Sequence, residues 1–109
     1  MKRQVKTLQI AEADVRSIHA FIHERSPQGA SAWLEAYENA LVWLEENANL
    51  CVLAIEDDRV AVELRQKLFR TSSGRAYRLL LTIYATEVRI LRVRGPGQAP
   101  VRPSGLTSQ

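Results

Sequence analysis

The segment over residues 77–85 constrains the fold of this chain more than any other. It is rich in Leu, Ile and Tyr and is apolar at almost every position. A strand with one face in solvent alternates apolar and polar residues, whereas a strand covered on both faces is apolar nearly throughout. The segment therefore predicts a central strand with other structure packed on both of its faces.

Two further strands are predicted on either side of this segment, over residues 63–70 and 87–94. The turn-forming run over residues 71–74 separates the first of them from the central strand. The two residues 85–86 are enough for a tight hairpin before the last strand. The apolar residues that support these two strands are Leu64, Leu68, Phe69, Val88, Ile90, Leu91 and Val93.

Two amphipathic helices are predicted before the strands, over about residues 11–25 and from residue 27 to about residue 47. Pro27 disfavours helical geometry at Ser26 and suits the first position of the next helix, with Ser26 as its N-cap. A short connection makes an antiparallel helical hairpin, whose apolar faces need a sheet or another helix to cover them. These faces carry Ala11, Val15, Ile18 and Ile22, and then Ala30, Trp33, Tyr37, Leu41 and Leu44.

The remaining segments complete the order β-α-α-β-β-β. Apolar residues within residues 5–10 predict a short first strand. Residues 48–62 are predicted to form an irregular, partly buried crossover, because an acidic run interrupts their apolar residues. Residues 95–109 hold three of the four prolines and little that could pack, which predicts a flexible tail. The domain is therefore expected to span residues 1–94.

Charge is divided unevenly along the chain. Residues 1–58 hold five basic and ten acidic side chains, a net charge of −5, whereas residues 59–94 hold nine basic and two acidic ones, a net charge of +7. Such asymmetry indicates an acidic partner for the basic half, either nucleic acid or an acidic protein. The alternative is that the acidic helices neutralise the basic sheet within one fold.

Thiol and imidazole groups give no metal or redox signal. Cys51 has no second cysteine with which to form a disulfide. It is therefore expected to act as a small apolar residue in a reducing cytoplasm. His19 and His23 lie one helical turn apart, a spacing that could chelate a metal, but no third ligand is evident. No cofactor is predicted, and no segment has the roughly 20 apolar residues of a membrane-spanning helix. The basic N-terminus is not followed by the apolar core of a secretory signal.

The basic strands carry a family resemblance. Residues 63–70, the turn over residues 71–74, the Tyr-Arg-Leu start of residues 77–83, and the Ile-Leu-Arg-Val-Arg of residues 90–94 occur in the order typical of the RelE/ParE superfamily. The Ser-Pro break before an Ala-x-x-Trp-Leu helix is similar to that superfamily too. These toxins belong to type II toxin–antitoxin systems. The resemblance implies a curved antiparallel sheet packed on the helical hairpin, and a cognate antitoxin that wraps the toxin.

The ribonuclease members of this superfamily are mRNA interferases, which cut ribosome-bound mRNA without a metal. That chemistry needs a base, an acid and cations that stabilise the charge of the transition state. The resemblance implies Arg78, Lys67 and Arg92 as the catalytic candidates. The other basic residues of the sheet region are predicted to bind a partner: Arg65, Arg70, Arg75 and Arg94.

The acid and base are the missing part of a ribonuclease site. Active members commonly carry a Tyr or His just after the last strand, where this chain has Gly95-Pro96-Gly97. Tyr77 is adjacent to Arg78 on a strand and is therefore expected to point away from it. The ParE branch keeps the basic strands, lacks the acid and base, and poisons DNA gyrase, so it is the preferred interpretation. The alternatives are an mRNA endoribonuclease, if Arg78, Lys67 and Arg92 converge in one open site, and a non-toxic interaction module.

Overall fold

The computed structural model describes residues 2–57 and 62–106. These residues form an α+β fold, as predicted, and its main elements lie in the following order. They are β1 (Gln4–Thr7), α1 (Gln9–Arg25), α2 (Pro27–Asn47), β2 (Val52–Leu53), β3 (Arg65–Phe69), β4 (Tyr77–Ile83) and β5 (Glu87–Arg94). Single turns of 3-10 helix occur at Ala48–Leu50 and Pro103–Leu106. Within this described part of the chain, no helix is both long and apolar enough to cross a membrane.

The strands form one sheet in the order β1-β5-β4-β3-β2. β1 runs parallel to β5, whereas every other neighbouring pair is antiparallel. The prediction of an antiparallel sheet is therefore wrong at the β1 edge. Only strands joined by a short hairpin are forced to be antiparallel, and the whole helical hairpin and three strands separate β1 from β5.

β4 lies between two hydrophobic clusters, which confirms its prediction as a central strand covered on both faces. Leu79 and Leu81 point toward α1 and α2, Leu80 points to the opposite face, and all three are fully buried. We name the clusters by the face they occupy. The helix-side cluster comprises Ala11, Trp33, Tyr37, Ala40, Leu44, Ala48, Cys51, Phe69, Leu79, Leu81, Val88, Ile90 and Val93. The outer cluster comprises Ala54, Leu64, Leu80, Leu91 and Val101.

The boundary between the two helices is the one predicted. The Ser26 hydroxyl accepts a hydrogen bond from the Gly29 N–H at 2.9 Å, and Pro27 begins α2. The first strand is shorter than predicted, because α1 begins at Gln9 and includes Ile10. Leu8 keeps an extended backbone and still donates its N–H to the Ile90 carbonyl of β5. The chain turns away from the sheet after Leu8, where α1 begins.

The crossover and the C-terminal residues supply the second layer over the outer face of the sheet, which is the face away from the helices. Ala54 and Glu56 are buried within the crossover, and residues 58–61 of it lie outside the described residues. Val101 is only 3% exposed in the segment that was predicted to have little to pack, and that prediction is wrong at this residue. The physical reason is that Leu80 and Leu91 project from the outer face and need an apolar cover. The predicted flexibility of the segment stays a prediction.

Candidate functional site

Arg78 lies on the outer face and is held there by a buried carboxylate. Its Nη1 and Nη2 donate to Oε1 and Oε2 of Glu56, both at 3.0 Å, and Nη1 also donates to Oε1 of Gln66 at 3.1 Å. The Glu56 side chain is fully buried, and the Arg78 side chain is 18% exposed. This two-point geometry is the strongest form of arginine–carboxylate contact, and it neutralises the guanidinium.

Glu56 also holds the C-terminal residues. Its Oε2 accepts a hydrogen bond from the Val101 N–H at 2.9 Å. Burial alone would raise the pKa of Glu56, but the hydrogen bonds from Arg78 and Val101 and the charge of Arg78 outweigh it, so the pKa is lowered. Glu56 is therefore a structural anion that joins β4 to the C-terminal residues.

Arg92 forms a second ion pair of the same kind, with Asp14 of α1. Its Nε and Nη2 donate to Oδ2 and Oδ1 of Asp14 at 2.7 and 3.0 Å. The Val93 N–H donates to the same Oδ2 at 3.0 Å. The hydrogen bond with Asp14 raises the pKa of Arg92. Because β1 pairs with β5 only as far as Ile90, Asp14 satisfies the open edge of β5 beyond that point.

Arg94 is the outer-face arginine without a carboxylate partner in the described part of the chain. Its Nη2 donates to the Ala99 carbonyl at 2.8 Å, and its buried Nε meets no acceptor among these residues. Burial and then the charge of Arg92 lower the pKa of Arg94. Removal from water and repulsion by a like charge both disfavour the cationic form, so Arg94 would gain from a nearby anion.

Lys67 lies on the other face of the sheet. Its Nζ lies 4.2 Å from the ring centroid of Trp43 on α2, a cation–π contact. Lys67 pairs in register with Leu79, a residue of the helix-side cluster, whereas Arg78 pairs with the neighbouring Leu68. Successive residues of a strand face opposite sides, so Lys67 and Arg78 cannot act on one phosphate.

The remaining predicted binding residues are spread over the surface. Arg65 donates to the Cys51 carbonyl at 2.6 Å and pairs with Glu63 at 3.0 Å. Arg70 and Arg75 are both exposed. Arg70 lies beside Lys67 and Trp43 in a shallow groove of about 310 Å³, and Arg75 lines a separate groove of about 700 Å³. The larger groove lies between α1 and the turn before β4, and Phe21, Trp33 and Tyr77 supply its aromatic walls.

The three catalytic candidates do not converge. Arg78 and Arg92 are neutralised by carboxylates, and Lys67 lies across the sheet from both. Tyr77 packs on the helix-side cluster, as predicted, and so points away from Arg78. Among the described residues, this arrangement therefore brings no acid, base and unpaired cation together around a common point.

Thiol and imidazole side chains form no further reactive or metal-binding centre within the described residues. Cys51 is buried, and burial raises the pKa of its thiol, the opposite of what activates a nucleophile. The rings of His19 and His23 stack with centroids 5.9 Å apart. Among residues 2–57 and 62–106, no three His, Cys, Asp or Glu side chains are grouped so as to hold a metal ion.

Glu56 and Asp14 are the site residues that the sequence did not reveal. In the sequence, Glu56 is one residue of the acidic run in the crossover, and Asp14 is one of several acidic residues in the helices. The signal that could have found them is the charge division of the chain. Where the acidic half of the chain covers part of the basic sheet, the buried arginines of the sheet need carboxylates opposite them.

A comparison of the chain with protein-family models and with curated proteins finds no match. The resemblance to the RelE/ParE superfamily therefore depends on the motifs of the chain itself and on the order of its elements.

Proposed function

We propose that this protein is a RelE/ParE-type toxin of a type II toxin–antitoxin system that inhibits growth by binding a protein target. The target proposed is DNA gyrase, the compartment is the cytoplasm, and a cognate antitoxin neutralises the toxin. The observation that carries the non-nucleolytic form of this proposal is the pairing of Arg78 and Arg92 with Glu56 and Asp14.

Those ion pairs argue against RNA cleavage on electrostatic grounds. A cation that stabilises a phosphorane-like transition state must aim its charge at the position where negative charge develops. Arg78 and Arg92 aim theirs at carboxylates, and freeing either one would leave a buried or half-buried anion without a partner. Residues 95–109 also include no Asp, Glu, His, Tyr, Cys or Lys that could act as an acid or a base.

The basic side chains that remain exposed agree better with a protein target than with RNA cleavage. Arg70 and Arg75 are exposed, and the structure gives neither a carboxylate partner within its described residues. Exposed charges of one sign accelerate encounter with an acidic surface more than they add to final affinity. An acidic antitoxin segment and an acidic face of a target enzyme would both be attracted to these exposed charges.

Induced expression in bacterial cells tests the proposal. We expect growth to stop, purified gyrase to lose supercoiling activity in the presence of the protein, and cellular transcripts to stay intact. The double substitution of Glu56→Gln with Arg78→Gln should keep growth inhibition within about twofold, because the neutral amides still hydrogen-bond while the cation is gone. A ribonuclease that used Arg78 would lose about 100-fold or more.

Two other results would contradict the proposal in distinguishable ways. Cleaved transcripts in ribosome-containing extracts, with cleavage abolished in the double variant, would identify an mRNA endoribonuclease. Normal growth at high expression, with gyrase unaffected, would identify a non-toxic interaction module. Arg16→Gln, an exposed substitution on α1 outside these contacts, controls for expression level and for the loss of one positive charge.

A further inference from the structure

The groove of about 700 Å³ between α1 and the turn before β4 has the size of a small-molecule site. We call it the aromatic groove. Its α1 wall is formed by residues spaced so that they share one face of the helix: Ser17, Ile18, Phe21 and Ile22. Gly29 and Trp33, one helical turn apart, line it from α2. Residues of the β3–β4 turn, Tyr77 and residues that follow β5 complete the lining.

Glycines contribute main chain and no side chain to this lining. Three of the five glycines of the chain line the groove, one each from α2, the β3–β4 turn and the end of β5: Gly29, Gly74 and Gly95. A Cβ atom added at Gly95 would lie 3.3 Å from Cε2 of Tyr77, so a larger residue there requires the ring to shift. Glycine is typical of places where the backbone comes close to a ligand or to another group.

Aromatic rings form the walls of the groove, and one of them keeps much of its surface in water. Trp33 is almost fully buried and meets Tyr77 edge to face, with ring centroids 5.4 Å apart. Phe21 is 58% exposed, although the Arg25 guanidinium lies 4.1 Å from its ring centroid. A flat apolar ligand on Phe21 would remove this ring from water and add ring packing.

Arg75 is the one charged side chain among the described residues that line the groove. It is exposed, and the described part of the chain gives it no carboxylate partner. A guanidinium matches a carboxylate in a two-point contact, and no acidic side chain among these lining residues opposes an anion. A single cation is suited to a carboxylate, whereas a phosphate monoester carries nearly two negative charges.

We propose that the aromatic groove binds a small, flat aromatic carboxylate, whose rings pack on Phe21 and whose carboxylate pairs with Arg75. Shape, aromatic lining and the single unpaired cation all favour this class of ligand over a sugar, a polyanion or an aliphatic chain. The ion-paired Arg78 and Arg92 take no part in the site. The proposal goes beyond the proposed function and does not depend on it, because its test uses purified protein and a ligand and has no readout of toxicity.

The test is isothermal titration calorimetry of the full-length protein with β-naphthoate and with its neutral analogue β-naphthamide. We expect a Kd of about 1 mM or tighter for β-naphthoate, and binding of the amide at least about fivefold weaker. Arg75→Gln should abolish this preference. Arg70→Gln is the matched control, because Arg70 is exposed on the other side of the same turn and lines the smaller groove, and its variant should keep the preference.

A second pair of variants tests the aromatic wall. Phe21→Ala should weaken both ligands about fivefold or more, because the ring on which they stack is gone. Val42→Ala, a substitution at an exposed apolar residue of α2 outside the groove, should leave both affinities unchanged within about twofold. Circular dichroism establishes that each variant is folded.

No heat of binding for β-naphthoate on the folded, unaltered chain would overturn the proposal. An equal loss of preference in Arg70→Gln and Arg75→Gln would also overturn it, because net charge and not the groove would then attract the ligand. Tighter binding of adenosine monophosphate than of β-naphthoate would identify a nucleotide site instead. Sedimentation velocity tests another occupant: a dimer that Phe21→Ala dissociates would show that a second copy of the chain fills the groove, and would refute the ligand site.

Discussion

Replacing Glu56 with alanine is expected to lower the free energy of unfolding by about 3 kcal/mol, because it leaves a charge partner without compensation at a largely buried site. Three hydrogen bonds end on this carboxylate, two from Arg78 and one from the Val101 N–H. The substitution removes all of them and leaves the guanidinium next to a cavity. Urea unfolding followed by circular dichroism at pH 7 measures the change.

Glu63→Ala is the matched control for this measurement. Glu63 pairs with Arg65 at 3.0 Å, but its side chain is 61% exposed. An exposed ion pair contributes little, so we expect a change of about 0.5 kcal/mol or less. If the two alanine variants lost equal stability, the anchoring role of Glu56 would be wrong.

The stability contributed by Glu56 should also depend on pH. Since its pKa is lower in the folded protein than in the unfolded chain, the contribution is fully present above the unfolded value of about 4.3 and is lost as pH falls through the folded value. The difference in unfolding free energy between the unaltered chain and Glu56→Gln should be constant from about pH 7 to about pH 5 and should shrink below about pH 4. Urea titrations at those pH values test this, and a difference that grew with acidity would contradict it.

Replacing Asp14 with alanine is expected to cost about 2 kcal/mol of stability, since charge-assisted hydrogen bonds are lost where the partners are mostly buried. Asp14 accepts two hydrogen bonds from Arg92 and one from the Val93 N–H. The side chains of Asp14 and Arg92 are only 17% and 15% exposed. Thermal and urea unfolding measure the loss.

Glu12→Ala is the control for Asp14, because Glu12 lies on the same helix and is exposed. Its loss should cost about 0.5 kcal/mol through the helix dipole alone. A cost at Glu12 as large as that at Asp14 would mean that net helix charge, and not the contact with β5, is responsible.

The sequence predicted the elements of this fold well where local chemistry is decisive. Ser26 and Pro27 define the break between the helices, and the apolar run of β4 predicts burial on both faces. The sequence predicted an element less well where its bounds or its pairing depend on residues far away along the chain. The end of β1 at Thr7 is set by the turn of the chain into α1, and its parallel pairing is set by β5.

The candidate site shows the same contrast between features set by neighbouring residues and features set by distant ones. The alternation of a strand was enough to predict that Tyr77 and Arg78 point to opposite faces. It did not show that Lys67 would lie beside Trp43, or that Glu56 would be fully buried against Arg78. Glu56 and Arg78 are 22 positions apart in the sequence, and Asp14 and Arg92 are 78 positions apart. A pattern of neighbouring residues cannot predict contacts over such separations.

By itself the sequence determined that a basic sheet follows two amphipathic helices and that Tyr77 and Arg78 point to opposite faces, because helix and strand periodicities are properties of neighbouring residues. Only the tertiary structure decided which groups those arginines contact. A guanidinium is a free cation or half of an ion pair according to which carboxylate is folded against it. Glu56 and Asp14 arrive from the crossover and from α1, and they form ion pairs with two of the candidate catalytic residues. Arg94 receives no such carboxylate in the described part of the chain, and it is there that the C-terminal residues cover the sheet.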